Sequence, residues 1–217
     1  MDRKTSKGKC YLCGKIFGKS AMTRHIKSCL EEKCFEPKGR AELFLLTVRG
    51  GPSYWLHILI PSHSTLDNLD AFLRHIWVEC CGHLSMFRIN GISYTKEPME
   101  EYDDQDMNIQ VGQIFYPGLK FQYEYDFGTP TNLTLEVTGS LKNNRKLKKI
   151  ELVAMNEQPL KKCEVCGKEA VWVCCQCIMD NKGWLCNNCA EDHECGEDML
   201  LPVVNSPRVG MCGYTGC

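Results

Sequence analysis

The sequence has no apolar run of about 18 residues or more, so no part of it is expected to span a membrane as a helix. Its first residues, MDRKTSKGKCYLCGK, lack the apolar centre and small-residue end of a signal peptide. No glycine-rich phosphate loop and no His-Arg-Asp loop accompany Asp126-Phe127-Gly128. The tripeptide therefore reads as a strand end and a turn, not as a kinase metal motif. The acidic run of Glu100, Glu101, Asp103, Asp104 and Asp106 lacks calcium-loop spacing and reads as a solvated loop. These absences point away from a membrane protein, a secreted precursor and a kinase, and make the cytoplasm the expected location.

Net charge is also nearly absent, at −1 over 217 residues, but it is segregated. Residues 1–40 carry 11 basic and 4 acidic side chains, and residues 141–162 carry 7 and 2. Residues 41–140 carry 5 and 13, and the last 55 carry 3 and 8. The two basic blocks suit a phosphate-bearing or acidic partner, and the two acidic blocks would repel one.

What is plentiful is cysteine, with 16 residues, mostly paired and gathered toward the two ends. In a reducing compartment that pattern points to metal rather than to disulfides. Cys163-x2-Cys166, Cys174-x2-Cys177 and Cys186-x2-Cys189 are followed by His193 and Cys195. A two-residue gap lets both thiolates of a pair turn onto one ion, so these residues supply two closed tetrahedral zinc sites. The spacing resembles the B-box type of cross-braced domain, in which ligand pairs alternate between two ions. That resemblance implies one ion on Cys163, Cys166, Cys186 and Cys189. It implies a second on Cys174, Cys177, His193 and either Cys195 or Cys212. Sequential pairing is the competing topology. Closed ligand sets imply structural and not catalytic zinc.

Near the N-terminus, Cys10-x2-Cys13 and His25-x3-Cys29 enclose eleven residues. This is a Cys-Cys-His-Cys pattern resembling a ββα zinc finger, with Phe17 and Met22 as its apolar core. A helix from Ser20 to Lys27 would put His25 and Cys29 on one face. Lys19, Arg24 and Lys27 on or near that helix are candidate nucleic-acid contacts, with a protein-contact role as the rival. Arg145, Lys146 and Lys148 are further candidates, at the tip of a Lys-rich hairpin between two strand-like segments. Three zinc ions per chain are expected in all.

The centre of the chain reads as an α+β domain. Apolar runs at 43–48 and 55–60 flank Gly50-Gly51-Pro52-Ser53 as a hairpin. Ser64-Thr65-Leu66-Asp67 opens a helix whose apolar stripe is Leu66, Leu69, Phe72, Leu73 and Ile76. Asn90-Gly91 marks a second hairpin, and segments 109–114, 120–125, 133–137 and 150–154 read as strands. The expected architecture is a mostly antiparallel sheet with one long helix and a β-grasp-like opening order, flanked by small zinc domains. The boundaries are 1–38, 41–158 and 160–217. Cys80-Cys81 are expected to be partly buried thiols at the helix end.

Trp55-x-x-Ile58-x-Ile60-Pro61, Thr65-Leu66-Asp67-Asn68-Leu69, His83-Leu84 with Phe87, and Tyr123-Glu124-Tyr125-Asp126-Phe127-Gly128 resemble the plasmid ORF-3-like family. This family is also described as a TnpR-type passenger of an insertion element, and the resemblance spans about residues 41–155. It implies the α+β domain but carries no established activity. The main expectation is a non-enzymatic zinc protein acting as an interaction module, with protein or nucleic acid as partner. Two alternatives remain open. One is a nucleic-acid-processing enzyme of a mobile-element or defence system, with a site around His57, His83 and Asp126. The other is a peptide-binding adaptor.

Overall fold

A computed structural model of the protein describes residues 6–33, 41–99, 101, 103–143 and 147–216. The chain forms two compact units. One is Met1–Leu73 with Leu84–Glu157, and the other is Arg74–His83 with Gln158–Cys217. Among the described residues no helix is long and apolar enough to cross a membrane.

The first unit begins with a ββα arrangement: β1 (Lys7–Cys10), β2 (Ile16–Gly18) and α1 (Lys19–Lys33). Two long strands follow, β3 (Ala41–Gly50) and β4 (Tyr54–Pro61), then a short helix, α2 (Leu66–Leu73). The remaining strands are β5 (Ser85–Ile89), β6 (Ile92–Thr95), β7 (Gln105–Asp106), β8 (Lys120–Tyr125), β9 (Thr131–Asn143) and β10 (Glu151–Asn156). They form one ten-stranded sheet in the order β2-β1-β10-β4-β3-β9-β8-β5-β6-β7. All pairings are antiparallel except that of β6 with β7.

Sequence pattern explains where each strand lies. Every residue of β4 is buried, as expected of a near-continuous apolar run covered on both faces. β8 alternates, with Phe121, Tyr123 and Tyr125 buried between more exposed neighbours. The β5–β6 hairpin turns on Asn90 and Gly91, both at positive φ (51° and 84°), which Asn-Gly tolerates.

The ββα arrangement is fused to the sheet, because β1 pairs with β10. Met22, Ile26, Cys29 and Leu30 of α1 share one apolar cluster with Leu43, Leu45, Trp55, Leu59, Val153 and Ala154. Spacing of i, i+4, i+7 and i+8 puts these four residues on one helix face. Gly8 permits the close approach of β1. A Cβ there would lie 2.3 Å from the Met155 carbonyl oxygen and 2.5 Å from the Trp55 ring.

Several expectations are corrected. The central domain does not carry one long helix. α2 ends at Leu73, and the chain widens into a π-helical turn, Arg74–Val78. The longest described helix is α1, with 15 residues. The α2 cap lies one residue later than expected. Thr65 and Asn68 exchange backbone-to-side-chain hydrogen bonds of 3.1 and 3.2 Å. The β-grasp-like order is not found among the described residues, where β3 has antiparallel neighbours on both sides and the parallel pairing is that of β6 with β7. Segment 109–114 is not a strand. Ile109 and Val111, two residues apart, mimic the start of a strand period, but the backbone turns at Val111–Gln113 and bonds to Ser62 and Ser64.

Among the described residues β9 and β10 do not pair as the expected Lys-rich hairpin, whose tip at 144–146 lies outside them. β9 lies beside β3, and β10 lies on the far side of β4. β3 and β4 therefore separate them, and Leu147 and Ile150 ahead of β10 are buried.

The second unit is built from short elements. Its three-stranded sheet runs β12-β11-β13, from β11 (Trp172–Cys174), β12 (Trp184–Leu185) and β13 (Leu200–Pro202). One five-residue helix, α3 (Asn187–Glu191), follows β12. One buried cluster is Cys163, Leu185, Cys186 and Ala190, with Trp172, Cys189 and Leu200 partly covering it, and Trp77, Val78, Val173, Val209 and Tyr214 are buried elsewhere in the unit. Such elements need a staple other than hydrophobic burial.

Candidate metal centres

Four groups of Cys and His side chains converge so that their ligand atoms all lie within 4.8 Å of one another. They are Cys10, Cys13, His25 and Cys29; Cys163, Cys166, Cys186 and Cys189; Cys174, Cys177, His193 and Cys195; and Cys80, Cys81, His83 and Cys212. Tetrahedral zinc with sulfur at about 2.3 Å separates its ligand sulfurs by about 3.8 Å. The Cys166–Cys186 and Cys177–Cys195 sulfurs stand at 3.6 Å, and His193 Nε2 stands 3.6 Å from Cys177 Sγ. The donor sets therefore fit zinc in both chemistry and spacing.

In the ββα arrangement the first turn presents Cys10 and Cys13. The Cys10 amide donates to the Lys15 carbonyl and the Gly14 amide to the Cys10 carbonyl. α1 carries His25 and Cys29 one turn apart on the same face. His25 Nε2 lies 3.2 Å from Cys13 Sγ, and the His25 ring stacks on Phe17 with centroids 4.2 Å apart. Burial, with the neighbouring Cys13 and Cys10 thiols, pushes Cys29 up to about 11.

In the second unit the ligand pairs alternate along the chain, first and third on one centre, second and fourth on the other. Cys195, not Cys212, completes the second of these, and Cys174 rather than Cys175 is its first member. Cys175 instead contacts the Met199 sulfur at 3.6 Å. Burial opposes ionisation of Cys163, but hydrogen bonds from the Cys166, Cys186 and Val165 amides outweigh it and bring the thiol down to about 6. The same balance brings Cys174 down to about 7, through the Cys177 amide and His193. Their neighbours move the other way. Burial, then the Cys195 and Cys174 thiols, push Cys177 up to about 12. Hydrogen bonding with Cys186 and Cys166 pushes Cys189 up to about 12. Thiols crowded this closely become thiolates together only around a cation, whose charge reverses the local acid–base balance.

Gly183 sits between the two ligands of one pair. Its φ is +88°, and a Cβ would lie 2.8 Å from the Cys177 Cβ and 3.1 Å from the Cys174 Cβ. Its amide donates to Glu164 Oε2 at 2.8 Å.

The fourth group was not expected from spacing. Cys81 Sγ lies 3.6 Å from Cys80 Sγ, 3.0 Å from His83 Nε2 and 3.7 Å from Cys212 Sγ. Cys80-Cys81 thus stand in a group that could hold a metal ion, with Cys80 half-buried and Cys81 exposed. A search for two-residue gaps misses adjacent cysteines. The run Cys80-Cys81-Gly82-His83 was the available signal.

His57, His83 and Asp126 each have a local role. His83 belongs to the fourth group. Asp126 is buried at φ 66° and holds a turn by accepting from the Gly128 and Thr129 amides. His57 is fully buried on β4, with Nδ1 2.9 Å from Thr47 Oγ1. Burial, helped by the Arg49 charge, lowers the His57 pKa from 6.5 to about 3. The unfolded chain therefore binds a proton that the folded chain refuses between these values. Stability conferred by a neutral His57 is complete above pH 6.5 and falls as pH drops toward 3. The expected slope is about 1.4 kcal/mol per pH unit. Urea unfolding followed through the β3–β4 amide signals should show this slope between pH 6.5 and about pH 5 in the wild type. The slope should be absent in His57→Gln.

Among the basic candidates, Arg24, Lys27 and Lys148 are exposed and Lys19 is half-buried, while Arg145 and Lys146 lie outside the described residues. The helical pattern of α2 also conceals a buried charge. Asp70 is fully buried, and its carboxylate accepts from Ser85 Oγ at 2.6 Å and Tyr123 OH at 2.7 Å. Lys96 Nζ reaches it at 3.1 Å. Asp70 interrupts the apolar face of Leu66, Leu69 and Leu73, which was a readable signal.

A family model described as plasmid pRiA4b ORF-3-like protein matches residues 46–172. No curated protein matches the chain. Among solved structures, a protein of unknown function from Methanosarcina mazei Go1 is similar at 16% identity and a TM-score of 0.46. The match covers 55% of this chain and 70% of that one.

Proposed function

This chain belongs to the plasmid pRiA4b ORF-3-like family, whose matched segment contains none of the ligand groups complete, and from that premise we propose that it is a zinc-organised interaction module. The observation that carries this reading is the closure of the ligand groups. The three groups expected from spacing each offer four protein donors, and such a set leaves no position for a substrate or an attacking water. Zinc here supplies structure, in the ββα arrangement and in the second unit. Thiolate ligation requires a reducing compartment, which fits a cytoplasmic protein.

The partner surface is the outer face of the ββα arrangement. Arg24 and Lys27 of α1 are exposed there, on the most basic part of the chain, while Lys7 and Lys9 are exposed on the other side of β1, alternating with buried Gly8 and Cys10. Its opposite face is held on the sheet, so the basic face is presented on a rigid platform. The partner class it suits is a phosphate backbone. A peptide partner is the second reading. It is favoured by the open groove in the second unit between Trp172, Asn187, Glu191, Glu197 and Leu200, whose rim is acidic.

One preparation tests both parts of the proposal. The protein is purified without added metal and its zinc content is measured. It is then titrated with random duplex and single-stranded DNA and RNA at low and at physiological salt. Zinc on the expected ligands, with binding that weakens as salt rises and is lost in Arg24→Glu/Lys27→Glu, supports the module and its partner class. Salt-insensitive or absent binding removes nucleic acid and leaves the peptide reading.

A further inference from the structure

From the side chains gathered at the end of the π-helical turn, we infer that Cys80, Cys81, His83 and Cys212 form a fourth zinc site that ties the C-terminal segment to residues 74–83. Three thiolates and one imidazole are a zinc donor set, and all four ligand atoms lie within 4.8 Å. Cys212 Sγ stands 3.2 Å from His83 Nε2 and 3.7 Å from Cys81 Sγ, although it is 129 and 131 residues away along the chain.

The turn bearing the first three ligands is built by its own hydrogen bonds. The Arg74 guanidinium donates to Glu79 Oε2 at 2.7 Å and to the His83 carbonyl at 2.7 Å. The Gly82 amide donates to Glu79 Oε1 at 2.6 Å, with Gly82 at φ +80°. The segment bearing the fourth ligand is anchored beside it. Ser206 Oγ donates to the Trp77 carbonyl at 2.5 Å, and the Arg208 amide donates to Ser206 Oγ at 2.9 Å.

The charge balance also fits. Three thiolates around a divalent cation leave one excess negative charge. Arg208 is fully buried, and its guanidinium donates to Cys80 Sγ at 3.3 Å. A buried guanidinium beside a thiol is stabilised if that thiol is a ligating thiolate. Arg208 is thus a positioning residue for the site. Cys81 and Cys212 are exposed, unlike Cys10, Cys29, Cys163 and Cys174. The fourth ion is therefore the one most open to exchange with solvent and chelators.

The test counts metal on the full chain. Wild type should hold four zinc ions and Cys212→Ser three. Arg208→Met should keep the fourth ion, with affinity weakened about 10- to 100-fold in competition with a chromophoric chelator. Cadmium NMR of the substituted wild type counts sites without any variant, and should give four resonances. Equal zinc content in wild type and Cys212→Ser, or three cadmium resonances, overturns the fourth site. Cys13→Ser reports on the module reading separately. If it loses one ion while Cys212→Ser loses none, the module stands and the fourth site falls.

Discussion

Removing metal from the reduced protein is expected to unfold the chain from Gln158 onward while strands β3, β4, β8 and β9 stay paired. The contrast follows from what holds each part together. The first unit has a ten-stranded sheet whose central strand is buried throughout. The second has strands of two and three residues, one five-residue α-helix, and small buried patches interleaved with its cysteines. Structural zinc contributes about 10 to 16 kcal/mol per site in small domains, more than such a core can. Chelation with a reductant present should therefore collapse the amide signals of the second unit toward random-coil positions. Those of β3 and β4 should remain slow to exchange. The ββα arrangement should show an intermediate response. It loses its ion, yet Met22, Ile26 and Leu30 still have the sheet to pack on. Cys186→Ser should reproduce the collapse without chelator, because it removes a buried ligand from one of two interlocked centres. A second unit that kept its dispersed signals when reduced and metal-free would show that the cysteines are not its framework.

How much of this was readable beforehand depended on whether the determining contact was local. Cysteine pairs two residues apart announced themselves, because both thiolates must reach one ion from a single turn. The Asn90-Gly91 hairpin was readable for the same reason, since only a few residue pairs accept two successive positive φ values. Strand Lys120–Tyr125 carried a clean alternation of large aromatics and polar residues. What failed was pairing at a distance. A period of two says that a segment is a strand but not which strand lies beside it, so β9 and β10 were joined as a hairpin although β3 and β4 separate them. The Cys212 partners could not be read for the same reason, as they lie about 130 residues away and no spacing rule connects them. The helix beginning at Leu66 kept its apolar stripe through the π-helical turn, so the pattern gave no warning that α-helical geometry ends at Leu73.

Replacing Asp70 by alanine is expected to destabilise the first unit by about 3 to 5 kcal/mol, the range for removing one member of a buried charged network. The effect is assigned to the two hydroxyls and not to the lysine. Ser85 and Tyr123 are both buried and both donate to the same carboxylate oxygen, so the alanine variant strips that acceptor from two desolvated donors. Lys96 is different. Its side chain is 44% exposed and also reaches Asp67 at 3.0 Å. Burial alone would lower its pKa, but the hydrogen bonds to Asp67 and Asp70 outweigh that and raise it. A half-exposed ion pair is worth about 1 kcal/mol or less, so Lys96→Met should cost little. Asp70→Asn should fall between, because its amide oxygen can still accept from both hydroxyls, more weakly than a carboxylate, while its NH2 group faces the lysine. Urea midpoints of the three variants, read at the β5 and β8 amides, should rank Ala below Asn, and Asn below Lys96→Met. If Lys96→Met were as damaging as Asp70→Ala, the network would depend on its charge pair and not on its buried hydroxyls.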